Sequence, residues 1–216
     1  MAKQAKTVTA SERIRSARTT RQQVAAKHRR QQQLLIYGGA GFFVLLIALV
    51  VYLNIRSSQP VAGETVLPSQ GNFHIEMGSP APLAYNSTPP TSGPHYGSLA
   101  AWNIYREPQR YELLIHNMED GGVIVYYQCP DGCPETVAQL EAIVDPYLRA
   151  GRHLVLVPND PTWTIGNSQP LHQDMGAKIA VTAWTRILKM DEVDEEAIRA
   201  FINRYEGMDH HVQGIG

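Results

Sequence analysis

Acidic residues are nearly missing from the first 33 positions, and charge of either sign is missing from the twenty that follow. Residues 1–33 hold nine Lys/Arg and a single acid, Glu12, whereas residues 34–53 (LLIYGGAGFFVLLIALVVYL) hold no charged side chain. The remaining positions carry ten basic and nineteen acidic groups. Segments so unequal do not belong to one globular unit. Other absences exclude chemistry. The chain has no His-Glu-x-x-His, Cys2His2 zinc spacing, P-loop, Rossmann glycine pattern or Gly-x-Ser-x-Gly, and no internal repeat. No common enzyme template applies, so a binding or delivery role without turnover is the expectation. Cysteine is scarce as well, with only Cys129 and Cys133.

The uncharged run has the length of a membrane span. Twenty helical residues rising about 1.5 Å each cross a hydrocarbon core of roughly 30 Å. Tyr37 and Tyr52 lie near its ends, where amphipathic rings prefer the interface. A cleaved signal peptide fits less well. The basic region before the run is long, the run exceeds the usual about 7–15 residues, and no Ala-x-Ala site follows. The positive-inside rule then puts the basic side in the cytoplasm. The expected organisation is a basic cytoplasmic arm (1–33), a transmembrane helix (34–53), a Pro/Gly-rich linker (54–72) and an extracytoplasmic domain (73–216). Thr9 and Glu12 fit a capping box, so a helix is expected to start there and run into the span. The arm's expected partners are the lipid bilayer and its anionic headgroups, at ~1 kcal/mol per Lys/Arg. Nucleic acid is not expected.

Within the outer domain, residues 85–96 (YNSTPPTSGPHY) cannot form a central strand or helix, because three prolines lack backbone donors. They predict a strap that presents His95. Residues 111–118 and 123–128 flank Glu-Asp-Gly-Gly and predict a hairpin, with helix the alternative for the first half. In either form His116 and Asp120 share a face. A helix is expected over 134–150, ended or kinked at Pro146, then strands over 153–158 and 178–190. A last helix over 194–205 takes Asp194 as N-cap, and a loosely held tail follows. The order β-β-α-β-β-α predicts an α+β domain with a small mixed sheet and two covering helices.

Residues 116–134 concentrate the reactive side chains. Cys129-Pro-Asp-Gly-Cys133 falls where a strand ends and a helix begins, and the helix dipole there favours thiolate. Four residues apart, the two sulfurs are close enough for a disulfide or for one shared metal ion. In an oxidising compartment a structural disulfide, metal ligation and redox chemistry all remain open. Two thiolates with a His or Met make a soft site suited to copper(I). The expected ligands are Cys129, Cys133 and one of His116 or His95, with Met118 and Asp120 as further candidates. His172 ranks behind these, and His74, His153, His210 and His211 last. The bland role of the adjacent Glu119 and Asp120 is turn formation.

Two resemblances follow. QCPDGCPE (128–135) resembles the copper-binding loop of Sco-type copper chaperones. TPPTSGPHY (88–96), the Trp-x-x-Tyr stretch at 102–105 and IHNMEDGGVIVYY (115–127) resemble the domain of unknown function family 3105. That likeness implies a bacterial or archaeal protein with one N-terminal membrane helix. The family pattern reads His-Asn-x-Glu-His-Gly-Gly, with Asp120 replacing the second His here and the cysteine pair belonging to only some relatives. The leading expectation is a membrane-anchored, copper-binding or copper-delivering extracytoplasmic domain. The alternatives are a structural or interaction subunit of a membrane complex, with a stabilising disulfide, and a thiol-disulfide oxidoreductase.

Overall fold

The computed structural model describes residues 10–166 and 168–211, and it divides into two compact units, residues 1–59 and 60–216. The first is helix α1, Ala10–Ser58. Thr9 lies outside the described residues, so the proposed cap does too. The stretch Lys27–Ile55 of α1 is long and apolar enough to cross a membrane, by length and composition.

The second unit contains β1 (Thr65–Val66), β2 (His74–Ile75), β3 (His95–Tyr96), α2 (Tyr111–Glu119), β4 (Val123–Tyr127), α3 (Pro134–Arg149), β5 (Leu154–Pro158), β6 (Ile179–Ala183), β7 (Arg186–Met190) and α4 (Glu195–Tyr205). Five strands form a mixed sheet in the order β1-β7-β6-β4-β5, with only β4 and β5 parallel. β2 and β3 form a separate parallel pair. The unit is thus α+β, as expected, with three helices on the sheet where two were expected.

Side-chain alternation explains why the sheet is covered twice. Val123, Val125, Leu154, Leu156, Val181 and Leu188 pack with Leu140, Ile143, Ile198 and Phe201 of α3 and α4. Their neighbours Ile124, Tyr126, Val155, Val157, Ala180 and Ile187 pack with Leu114, Ile115 and Met118 of α2. A sheet buried on both faces has near-continuous apolar strands, as VIVYY and LVLV do.

Two expectations are corrected and two boundaries are adjusted. Residues 111–119 are a helix, and the hairpin does not form. Their fully buried side chains Leu114, Ile115 and Met118 recur at helical spacing, and the sheet already pairs β4 on both sides. Residues 178–190 are two antiparallel strands. They turn at Trp184-Thr185, where Thr185 takes a positive φ of 61° without the usual Gly or Asn signal. Helix α3 runs through Pro146 to Arg149. Part of the expected linker belongs to the domain: Thr65 pairs with Ile187, and the Tyr205 hydroxyl donates to Glu64 at 2.6 Å. The N-cap at Asp194 forms as expected, its carboxylate accepting from Ala197 N–H at 3.0 Å.

The corner between α2 and β4 depends on two glycines. A Cβ on Gly122 would lie 2.5 Å from the Trp102 ring and 2.6 Å from the Asn117 carbonyl. Gly121 has φ +77°, and a Cβ there would meet the Met208 backbone at 2.9 Å. The first therefore admits Trp102 and the second admits the C-terminal tail. Gly122→Ala is expected to destabilise the domain by about 1–3 kcal/mol. Gly97→Ala, whose Cβ would meet His74 at an ordinary 3.6 Å, is expected to cost less. Urea unfolding followed by tryptophan fluorescence checks both, since Trp102, Trp163 and Trp184 all lie in this unit.

Candidate metal centre

Four segments distant in sequence converge at the C-terminal end of α2. The parallel β2–β3 pair puts His74 opposite His95 in register. Helix α2 contributes His116 and Glu119 from adjacent turns, three residues apart on one face. The tail contributes His211. One ligand-type atom from each of His74, His95, His116 and Glu119 lies within 4.8 Å of all the others. A second such group joins His116, Asp120 and His211.

The motif His-Asn-Met-Glu-Asp-Gly-Gly is explained residue by residue. His116 and Glu119 enter the site. Asn117 clamps the segment that follows β3, accepting from Ala100 N–H at 2.9 Å and donating to the Ala100 carbonyl at 2.8 Å. Met118 is fully buried in the core between α2 and the sheet, and so is not among the converging side chains. Asp120 follows the helix end, its carboxylate 3.8 Å from His116 Nε2.

Backbone carbonyls fix the two buried rings. His95 Nδ1–H donates to the Gly93 carbonyl, and His116 Nδ1–H donates to the Tyr96 carbonyl, each at 2.8 Å. A carbonyl only accepts, so each Nδ1 carries the proton and each Nε2 is left to the site. His95 Nε2 is 2.9 Å from Glu119 Oε2, and His74 Nε2 is 3.7 Å from the same oxygen. The other oxygen, Oε1, accepts from Asn72 Nδ2 at 2.7 Å. Burial holds the pKa of His95 below its ordinary value, against the opposing pull of the Gly93 carbonyl and Glu119. With Nδ1–H given to the Gly93 carbonyl, the Nε2 of His95 faces the Glu119 carboxylate directly. Two facing electron-pair donors are reconciled by a proton or by a cation between them.

The tail is docked along residues 207–210, where the sequence suggested loose attachment. Gly207 N–H donates to the Gly121 carbonyl at 2.8 Å, and His210 N–H to the Glu119 carbonyl at 2.9 Å. His210 stacks on Trp184. His211 Nδ1 is 2.9 Å from Asp209, whose hydrogen bond, with Glu119 and Asp120 nearby, raises the pKa of the ring.

The cysteines lie elsewhere. Cys129 and Cys133 form a disulfide in the loop between β4 and α3, and neither belongs to a candidate metal group among the described residues. The strand β4 separates that loop from the α2 corner, so the proposed combination of thiolates with His116 or His95 is not assembled. Sequence reasoning picked out His95, His116 and Asp120. It ranked His74 and His211 last and gave Glu119 to the turn. For His74 and His211 the only sequence signal was the His content itself, because their proximity depends on pairings across dozens of residues, whereas Glu119 lies one helical turn from His116, a spacing the hairpin expectation hid.

His172 is structural. Its Nδ1 accepts from Asp160 N–H at 3.2 Å, its Nε2–H donates to the Gln109 carbonyl at 2.8 Å, and its ring stacks on Tyr111. Both nitrogens are used in the neutral form.

A family model described as protein of unknown function (DUF3105) matches residues 74–214. Nothing among curated proteins and nothing among solved structures matches the chain.

Burial holds His172 at a pKa of about 4, below its ordinary 6.5. Above pH 6.5 neither the folded nor the unfolded chain protonates it. As pH falls toward 4 the unfolded chain takes the proton first, so stability is lost through that window. The loss is expected to reach about 3 kcal/mol. Urea unfolding from pH 7 to pH 4 measures it, and His172→Phe should flatten that part of the profile.

Proposed function

The chain belongs to the DUF3105 family of proteins of unknown function, and we propose that its outer domain binds a divalent first-row transition metal ion through His74, His95, His116 and Glu119. The observation that carries this reading is the locking of His95 and His116. With both Nδ1 atoms tied to carbonyls, both Nε2 atoms are committed to the side of the site where Glu119 and His74 lie. Metal-binding histidines are oriented by such outer hydrogen bonds, which set the tautomer and the ring angle.

The donor set is three imidazoles and a carboxylate. With the thiols joined to each other, the soft set suited to copper(I) is not on offer. Nitrogen and oxygen donors favour a divalent ion, with Cu2+ bound most tightly and Zn2+ next in availability and fit. Ligand atoms about 2.0–2.2 Å from one ion lie about 3.0–3.5 Å from each other. The 4.8 Å span is wider. His74, with its side chain 49% exposed, has the room to close it.

The apolar stretch Lys27–Ile55 of α1 supports a single-pass membrane anchor. The basic arm before it favours a cytoplasmic N-terminus near anionic headgroups and an extracytoplasmic domain, the side on which a Cys129–Cys133 disulfide persists. Capture or delivery of an ion at the membrane surface is the role that fits this placement.

Full-length protein stripped with chelator is expected to take up one equivalent of Cu2+ or Zn2+ and to gain about 2.7 kcal/mol of stability at a hundredfold excess over Kd. His95→Ala and Glu119→Ala should each lose more affinity than the about 10–100-fold typical of an outer hydrogen-bond partner. The Cys129→Ser/Cys133→Ser pair should keep its metal. Elemental analysis and calorimetry decide the matter, and equal metal content in wild type and His95→Ala would sink the proposal.

A further inference from the structure

One side chain is common to two groups of ligand-type atoms. His116 stands with His74, His95 and Glu119, and also with Asp120 and His211. Its Nδ1 is committed to the Tyr96 carbonyl. Only Nε2 remains, and its single lone pair holds one ion at a time. The two groups therefore cannot both be filled through His116. Resting on the metal-binding reading above, we infer that they are two stations on one path. A divalent transition ion is captured by His211 and Asp120 at the surface, then passed through His116 to His95 and Glu119 inside.

The fully buried pair marks the inner end. The side chains of His74, His211 and Asp120 are 49%, 41% and 27% exposed, whereas those of His95 and Glu119 are 0% and 1% exposed. The outer station offers two imidazoles and a carboxylate, and the inner one three imidazoles and a carboxylate, so an ion gains a donor on moving inward. The stations also touch. His211 lies between the carboxylates of the two groups, with Nδ1 hydrogen-bonded to Asp209 at 2.9 Å and 3.4 Å from Asp120 Oδ1, and with Nε2 3.5 Å from Glu119 Oε2. Its backbone is carried by a segment hydrogen-bonded to the end of α2 itself, through Gly207 and His210. The capturing ring is therefore anchored to the element that bears the receiving groups.

Co2+ serves as the probe, because its visible absorption reports the number and kind of ligands. Full-length wild type is expected to bind one Co2+, with two successive spectra in a stopped-flow record. The Asp120→Ala/His211→Ala pair should reach the same final spectrum at an affinity within about threefold of wild type. Its loading and its release to chelator should both slow by about tenfold or more. Asp120→Asn alone should slow loading in the same direction. Two Co2+ per chain at saturation, loading of the double variant at the wild-type rate, or loss of the final spectrum in that variant would each overturn the path. The parent reading fails separately, by the absence of stoichiometric Co2+ in wild type or by its retention in His95→Ala.

Discussion

A carboxylate almost wholly withdrawn from solvent governs the arrangement of this domain's polar centre. Glu119 is 1% exposed. A charge in that position is costly unless several donors meet it. Asn72 reaches it from the segment before β2, His95 from the strap, His74 from β2, and the tail brings His211 close. Each of those segments lacks the length or the regular pairing to hold itself in place. The strap in particular is largely buried over residues 89–96 and carries three prolines, so it contributes few backbone hydrogen bonds of its own. Glu119 and its neighbour Asn117, which clamps Ala100, tie these pieces to a helix that is itself rooted in the core.

The sheet below supplies the rigidity. α2 ends at Glu119, and the chain turns through two glycines directly into β4, which pairs with both β5 and β6. Three positions of the candidate site, His116, Glu119 and Asp120, are thereby fixed within a few residues of a strand paired on both sides. Sites carried by rigid elements hold their geometry better than sites on loops alone.

How much of this was legible in the sequence depended on range. The amphipathic faces of α3 and α4, the Asp194 cap and the apolar strands β4 and β5 were readable because their signals are local. The span-length apolar run in α1 was readable for the same reason. Helix α2 was misjudged because YELLIHNM is apolar on several sides, so alternation and helical spacing compete over a short window. The β6–β7 turn was hidden because Trp184-Thr185 carries none of the usual turn residues. In the site, His116 and Asp120 were legible through i,i+4 spacing, and His95 through its rigid strap. His74 reaches them only through a two-residue parallel ladder, and His211 only through tail docking that Gly121 permits. No local pattern encodes either pairing. The cysteine pair drew attention by residue type, yet its disulfide closes on itself at the other end of β4.

The scatter of the donor atoms along the chain has a temporal consequence. His74 lies near the start of the second unit and His211 more than ninety residues beyond α2, with the strap and α2 between them. A chain made only as far as the strap lacks His116 and Glu119, and a chain in which β2 and β3 have not paired does not bring His74 to His95. Occupancy of the centre would thus require the segments from β2 to α2 to be made and folded together, whatever the state of the tail.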